Sequence, residues 1–175
     1  GQLAAPGQAI AWRGPMAGNA LSQLVDGVWG DVGELIVDMP PGTGDIQLSM
    51  IQKHKPMGAV IVSTPQDLAL MDATRAIGFF NQAQVPIIGL VENMAGYICP
   101  HCGEVSDPFG RGGAEAAAAE LGIPFLGRIP LDISVRLASD AGEPPALGDD
   151  PVAGAFADIA RRVSTWLDTH RGNAA

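Results

Sequence analysis

The chain has 175 residues, a formal net charge of −9 and 47% apolar residues, with Gly and Pro plentiful but in no repeating period. That length and apolar content allow one domain with a sizeable core and exclude a collagenous, repeat or disordered chain. The acid excess argues against nucleic acid as a partner, because Lys53 and Lys55 are the only lysines and no Lys/Arg stripe exists to neutralise phosphates.

The opening residues are mixed and Gly-rich, with an edge strand expected around Gln8–Trp12. Met16, Leu21, Leu24, Val25 and Val28 follow helical spacing, so a helix is expected over 15–28 with Pro15 in its first turn. Glu34–Asp38 reads as a buried strand that breaks into Pro40-Pro41-Gly42. A helix over 45–55 follows, with Asp45 as its N-cap. Apolar strands are expected over 58–63, 85–91 and 124–128. Helices are expected over 67–83, 112–121, 132–141 and 151–170, and a surface connection over 142–151. Fully apolar strands alternating with helices imply an α/β fold whose mainly parallel sheet is covered on both faces. No internal linker marks a second domain, so residues 1–175 read as one.

The string Asp38-Met-Pro-Pro-Gly-Thr-Gly-Asp45 carries the most chemistry. A carboxylate at the C-terminal end of a parallel strand lies on the edge where open α/β sheets bind ligands. Mg²⁺ keeps most of its waters and needs only one or two carboxylates, so Asp38 suits a Mg²⁺–nucleotide site. Pro40 and Pro41 stiffen the loop, while Gly42 and Gly44 let backbone N–H groups approach phosphate. Gly42 and Gly44 could thereby sense the γ-phosphate, whereas Asp45 is better placed to cap a helix than to touch nucleotide. Asn93, just past a strand end, offers an amide able to read the donor–acceptor edge of adenine. It suits a turn position equally well. Gly110, Gly112 and Gly113 before a helix could receive an anion at the N-terminus, although Gly-rich helix starts are common.

Cys99 and Cys102, flanking Pro100 and His101, are the only cysteines. Two thiolates make half of a tetrahedral sulfur site. The other ligands must come from His101, His54, His170 or a second copy of the chain. A two-fold dimer with both pairs face to face supplies four thiolates, one for each iron of a 4Fe–4S cluster. A dithiol redox pair is the competing reading, and its usual context is a helix N-terminus.

The Asp38–Asp45 string resembles the Walker B/switch II segment of the deviant-Walker P-loop ATPases, and within them the Mrp/ApbC-type iron–sulfur cluster carriers. The likeness continues through Trp12-Arg-Gly-Pro-Met16, Ser63-Thr-Pro-Gln-Asp67, Val91-Glu-Asn-Met94, Cys99-Pro-His-Cys102, Phe109-Gly-Arg-Gly-Gly113 and Gly127-Arg-Ile-Pro-Leu-Asp132. It covers residues 8 to 147 in matching order and spacing. The resemblance implies a P-loop NTPase-like three-layer sandwich. It implies ATP with Mg²⁺ bound through Asp38, Pro41, Gly42 and Gly44. It also implies an adenine pocket lined by Asn93 and walled by Ile129–Asp132, including Pro130 and Asp132. A labile 4Fe–4S cluster held by Cys99 and Cys102 would bridge a homodimer and pass to apo iron–sulfur proteins.

A MinD/ParA-type positioning switch shares the nucleotide motifs but leaves the cysteine pair unexplained, and the last helix lacks a basic amphipathic anchor. A thiol oxidoreductase leaves Pro-Pro-Gly-Thr-Gly-Asp unexplained. The sequence contains no G-x-x-x-x-G-K-[ST] phosphate loop. It therefore reads as the C-terminal part of a P-loop domain, with the first strand and helix missing and no competent ATPase activity by itself. No apolar run is long enough to span a bilayer, no signal-peptide pattern opens the chain, and the expected location is cytoplasmic, away from membranes.

Overall fold

The computed structural model describes residues 14–40, 42 and 44–171. The chain divides into two compact units, Gly1–Pro56 and Met57–Ala175. The edge strand expected around Gln8–Trp12 lies outside the described residues.

Unit 1 holds helices α1 (Gly14–Val25) and α2 (Asp45–His54). The first ends three residues before the expected boundary, because the indole N–H of Trp29 turns back to the carbonyls of Leu24 and Val25, at 3.0 and 3.2 Å. Those bonds satisfy carbonyls that a helix end would otherwise leave open. Residues 34–38 differ from expectation more sharply. They form no strand, and Ile36 is 78% exposed. A strand needs hydrogen-bonded neighbours, and among the described residues none pairs with this run. Helix α2 starts almost as expected, but Gly44 takes the N-cap position and Asp45 is the first helical residue. There its carboxylate faces the positive end of the helix instead of capping it. Buried Gln47 donates its amide to the carbonyl of Pro40 at 2.7 Å, which ties the proline loop to the helix.

Unit 2 runs β1 (Ala59–Ser63), α3 (Asp67–Gln82), β2 (Ile87–Glu92), β3 (Tyr97–Ile98), β4 (Val105–Ser106), α4 (Gly113–Leu121), β5 (Phe125–Arg128), α5 (Ile133–Ala141), a 3-10 turn (Pro145–Leu147) and α6 (Pro151–His170). Its helices and parallel strands match expectation within one or two residues. Strand β2 begins at Ile87 instead of Val85, since Pro86 has no N–H for the ladder and Val85 donates to Phe80. The sheet order is β1-β2-β5, all parallel. On one face α3 and α4 bury Ile61, Ala73, Ile77, Leu90, Ala114 and Ala118. On the other, α6 covers Ile88, Val91, Leu126 and Ile129 through Leu167 and its neighbours. Continuous apolar strands demand both covers, and three layers result. Asp150 caps α6 through the N–H of Ala153, with Pro151 in its first turn.

Candidate functional site

The C-terminal ends of β2 and β5 stay joined beyond the sheet. Ile129 donates to Glu92, Ala95 donates to Ile129, and Leu131 donates to Gly96, at 2.8–2.9 Å. Tyr97 and Leu131 then pair as a single parallel bridge. This zipper brings Asn93 and the Ile129–Asp132 loop side by side on the ligand-binding edge of the sheet. Asn93 Oδ1 accepts the N–H of Met94 at 2.9 Å, and it is Met94, not Asn93, that adopts the left-handed conformation. The turn role and a base-reading role are therefore compatible, because the Asn93 NH₂ is a separate donor. Pro130 lies half-buried in the opposing loop. Asp132 is the N-cap of α5, accepting the Ser134 N–H at 2.7 Å. Hydrogen bonds from the Ser134 hydroxyl and backbone hold its carboxyl below the usual carboxylate range.

The same zipper roots the cysteines. Strands β3 and β4 flank them as a two-stranded antiparallel hairpin. Cys99 donates its N–H to Glu104 and accepts one from Gly103, both at 2.9 Å, so the turn closes on itself. Gly103 sits at φ +72, a conformation that favours glycine. Hydrogen bonds from the Cys102 backbone, the His101 backbone and the Cys102 thiol lower the pKa of Cys99. Both cysteines are free thiols, Cys99 half-buried and Cys102 exposed. No helix starts here, so the usual setting of a redox dithiol is missing.

No group of three His, Cys, Asp or Glu able to hold a metal forms among the described residues. Of the histidines considered as further ligands, His54 engages Ser22 at 3.2 Å and His170 stacks on Trp166 at 4.0 Å. His101 lies exposed in the cysteine turn without completing such a group.

The sequence reading missed Glu92. It ends β2 with 0% exposure, inside an otherwise apolar run. Its carboxylate accepts N–H bonds from Gly112 (3.3 Å) and Ala114 (2.9 Å), and Arg128 Nε donates to it at 3.0 Å. Arg128 also pairs with Glu115 and lies over the Phe125 ring. Burial opposes the guanidinium charge, but the bonds from Glu115 and Glu92 outweigh it and raise its pKa. The anion expected at the Gly-rich start of α4 is thus Glu92 itself. Gly113 is required there, since a Cβ would come within 2.3 Å of the Pro65 carbonyl oxygen. An acid closing an apolar strand, with a Gly-rich helix start downstream, was the available signal.

In unit 1, Asp38 is exposed at the end of its extended run. Gly42 follows at φ +93, open to solvent with nothing near a would-be Cβ, and Gly44 closes the loop against α2. Pro41 lies outside the described residues.

Residues 1–164 match the family described as ParA: NUBPL iron-transfer P-loop NTPase. The chain belongs to this family. It is 50% identical over 167 residues to an Arabidopsis thaliana iron–sulfur protein required for NADH dehydrogenase, mitochondrial, covering 94% of this chain and 53% of that one. It is 47% identical over 156 residues to an iron–sulfur cluster carrier protein of Methanocaldococcus jannaschii, covering 88% and 54%. A solved nucleotide-binding protein from Archaeoglobus fulgidus in complex with ADP superposes with a TM-score of 0.64 at 40% identity, over 71% of this chain and 52% of that one. The fold is that of a P-loop NTPase, and the chain spans about half the length of the curated relatives it matches. No described helix is long and apolar enough to cross a membrane.

Proposed function

We propose that this chain works within an ATP-dependent carrier that binds a 4Fe–4S cluster through Cys99 and Cys102 and hands it to apo iron–sulfur proteins. The observation that carries this reading is the cysteine hairpin: two thiols in a closed turn, rooted on the ligand edge of a P-loop NTPase sheet. Two thiolates per chain satisfy half of a cluster's irons, so two copies share one cluster. The names of the relatives as iron–sulfur cluster carriers agree with it. Handover is ligand exchange. Each iron–thiolate bond to Cys99 or Cys102 breaks as a bond to a recipient cysteine thiolate forms, with no net change in cluster charge.

ATP with Mg²⁺ is the assigned fuel, in keeping with the ADP-bound relative. Asp38 would hold a Mg²⁺-bound water, a role that needs a charge. Pro41, Gly42 and Gly44 are assigned to the phosphates, and Asn93 with Pro130 and Asp132 to the adenine. Hydrolysis is assigned to a chain that also carries a phosphate loop with its lysine, a motif this sequence does not contain. Two free cysteines suit a reducing compartment such as the cytoplasm.

Anaerobic reconstitution followed by incubation with an apo-ferredoxin tests the reading. The parent chain is expected to take up cluster and release it to the acceptor, while Cys99→Ala and Cys102→Ala take up none. Full cluster uptake by either variant would overturn it.

A further inference from the structure

Hairpin register places Tyr97 opposite Ser106 and Ile98 opposite Val105. Side chains alternate across a strand, so Ile98 and Val105 share the face opposite to Tyr97 and Ser106. Tyr97 is half-buried, whereas Ile98 and Val105 are 64% and 60% exposed. Two β-branched aliphatic side chains therefore stand side by side in water at the foot of the cysteine turn. Among the described residues nothing covers them, and each adjoins the Cys99–Glu104 turn directly.

We propose that Ile98 and Val105 form an apolar shoulder that a second copy of this chain covers when the two cysteine turns close on a shared cluster, so that the cargo itself gates this contact. The inference rests on the shared-cluster reading above and adds the residues that close over it. The occupant is a second copy because the thiolates adjoining the shoulder need the same partner to complete four ligands. The area explains the gating. Stable protein interfaces bury roughly 1,600 Å² in total, and two side chains per copy provide only a small part of that. The shoulder alone cannot hold two empty chains together, particularly at a net charge of −9 per chain. Iron–thiolate bonds supply the remainder once a cluster is bound. The covered side chains then keep water from the cluster, and an apolar shell of this kind controls solvent access to a metal site.

The test pairs oligomeric state with cluster retention in the 175-residue chain. Ile98→Thr/Val105→Thr keeps β-branched residues in the hairpin and removes the apolar surface. Retained Co²⁺–thiolate absorption shows that its cysteine turn is intact. Sedimentation velocity should find the empty parent monomeric and the cluster-loaded parent dimeric. The double variant should lose cluster to an iron chelator at least about tenfold faster than the parent, with its loaded dimer dissociating on dilution. Val105→Lys is the second variant, should the first not fold, and should act in the same direction through like charges facing each other. Chelator rates and dimer fractions within twofold of the parent would overturn the shoulder. A parent chain that carries its cluster as a monomer would instead overturn the shared-cluster reading on which it rests.

Discussion

Glu92 joins a strand end, a helix start and a cation, and the cost of losing it is set by what it leaves behind. In Glu92→Ala the N–H groups of Gly112 and Ala114 lose their acceptor and Arg128 keeps only Glu115. Breaking a buried pair costs about 3–5 kcal/mol, and the partial exposure of Arg128 argues for the lower end. Urea unfolding should show a loss of about 3 kcal/mol, and Glu92→Gln should lose less because one acceptor oxygen remains. A loss under about 0.5 kcal/mol in Glu92→Ala would mean that α4 is anchored by packing alone. Asp132 makes a smaller and pH-dependent contribution. Its folded carboxyl pKa is depressed, so its stabilisation is complete above the ordinary value of 3.8 and is lost as pH falls through the lower folded value. Asp132→Ala should cost about 1 kcal/mol at neutral pH, the usual worth of an N-cap. The gap between variant and parent should narrow below the ordinary value. A gap unchanged down to pH 2 would show that the capping bond does not need the charge.

At the scale of elements, what could be read in the sequence follows from how local each signal is. Strands β1 and β2 announce themselves as Ala59-Val-Ile-Val and Ile87-Ile-Gly-Leu-Val, apolar runs stopped by Pro65 and Asn93. Helix α6 is marked by Asp150-Pro151 at its start and a clear apolar stripe. Residues 34–38 carry the same kind of run as β1, yet pairing is a property of neighbours and no local pattern supplies it. The cysteine hairpin was hidden for a different reason, since strands of two residues are too short to show any periodicity. The resemblance groups Asn93 with Pro130 and Asp132, but the backbone zipper that joins their two loops depends on contacts across about 35 residues, which no local pattern shows. Hydrogen exchange separates these classes. Amides of β2 should exchange slowest, while those of residues 34–38 should exchange at rates near those of an unstructured peptide. Protection of residues 34–38 equal to that of β2 would show that the run has found a strand partner.

At the scale of the whole molecule, the P-loop fold and the family agree, and the candidate site residues are divided between the two units. Asp38 with its glycine loop lies in the first unit. The Asn93–Asp132 edge and the cysteine hairpin lie in the second and are joined through the Tyr97–Leu131 bridge. A strained or shifted Asp132 loop would therefore be felt at the base of the cysteine hairpin through the Leu131–Gly96 hydrogen bond and the Tyr97–Leu131 bridge. The proposed function and the apolar shoulder both presuppose that Cys99 and Cys102 of two copies hold one cluster between them. Native mass spectrometry of the anaerobically reconstituted chain measures this directly. The account predicts a species of two chains plus one 4Fe–4S unit, absent from Cys99→Ala and Cys102→Ala. A single chain carrying a complete 4Fe–4S unit would contradict it.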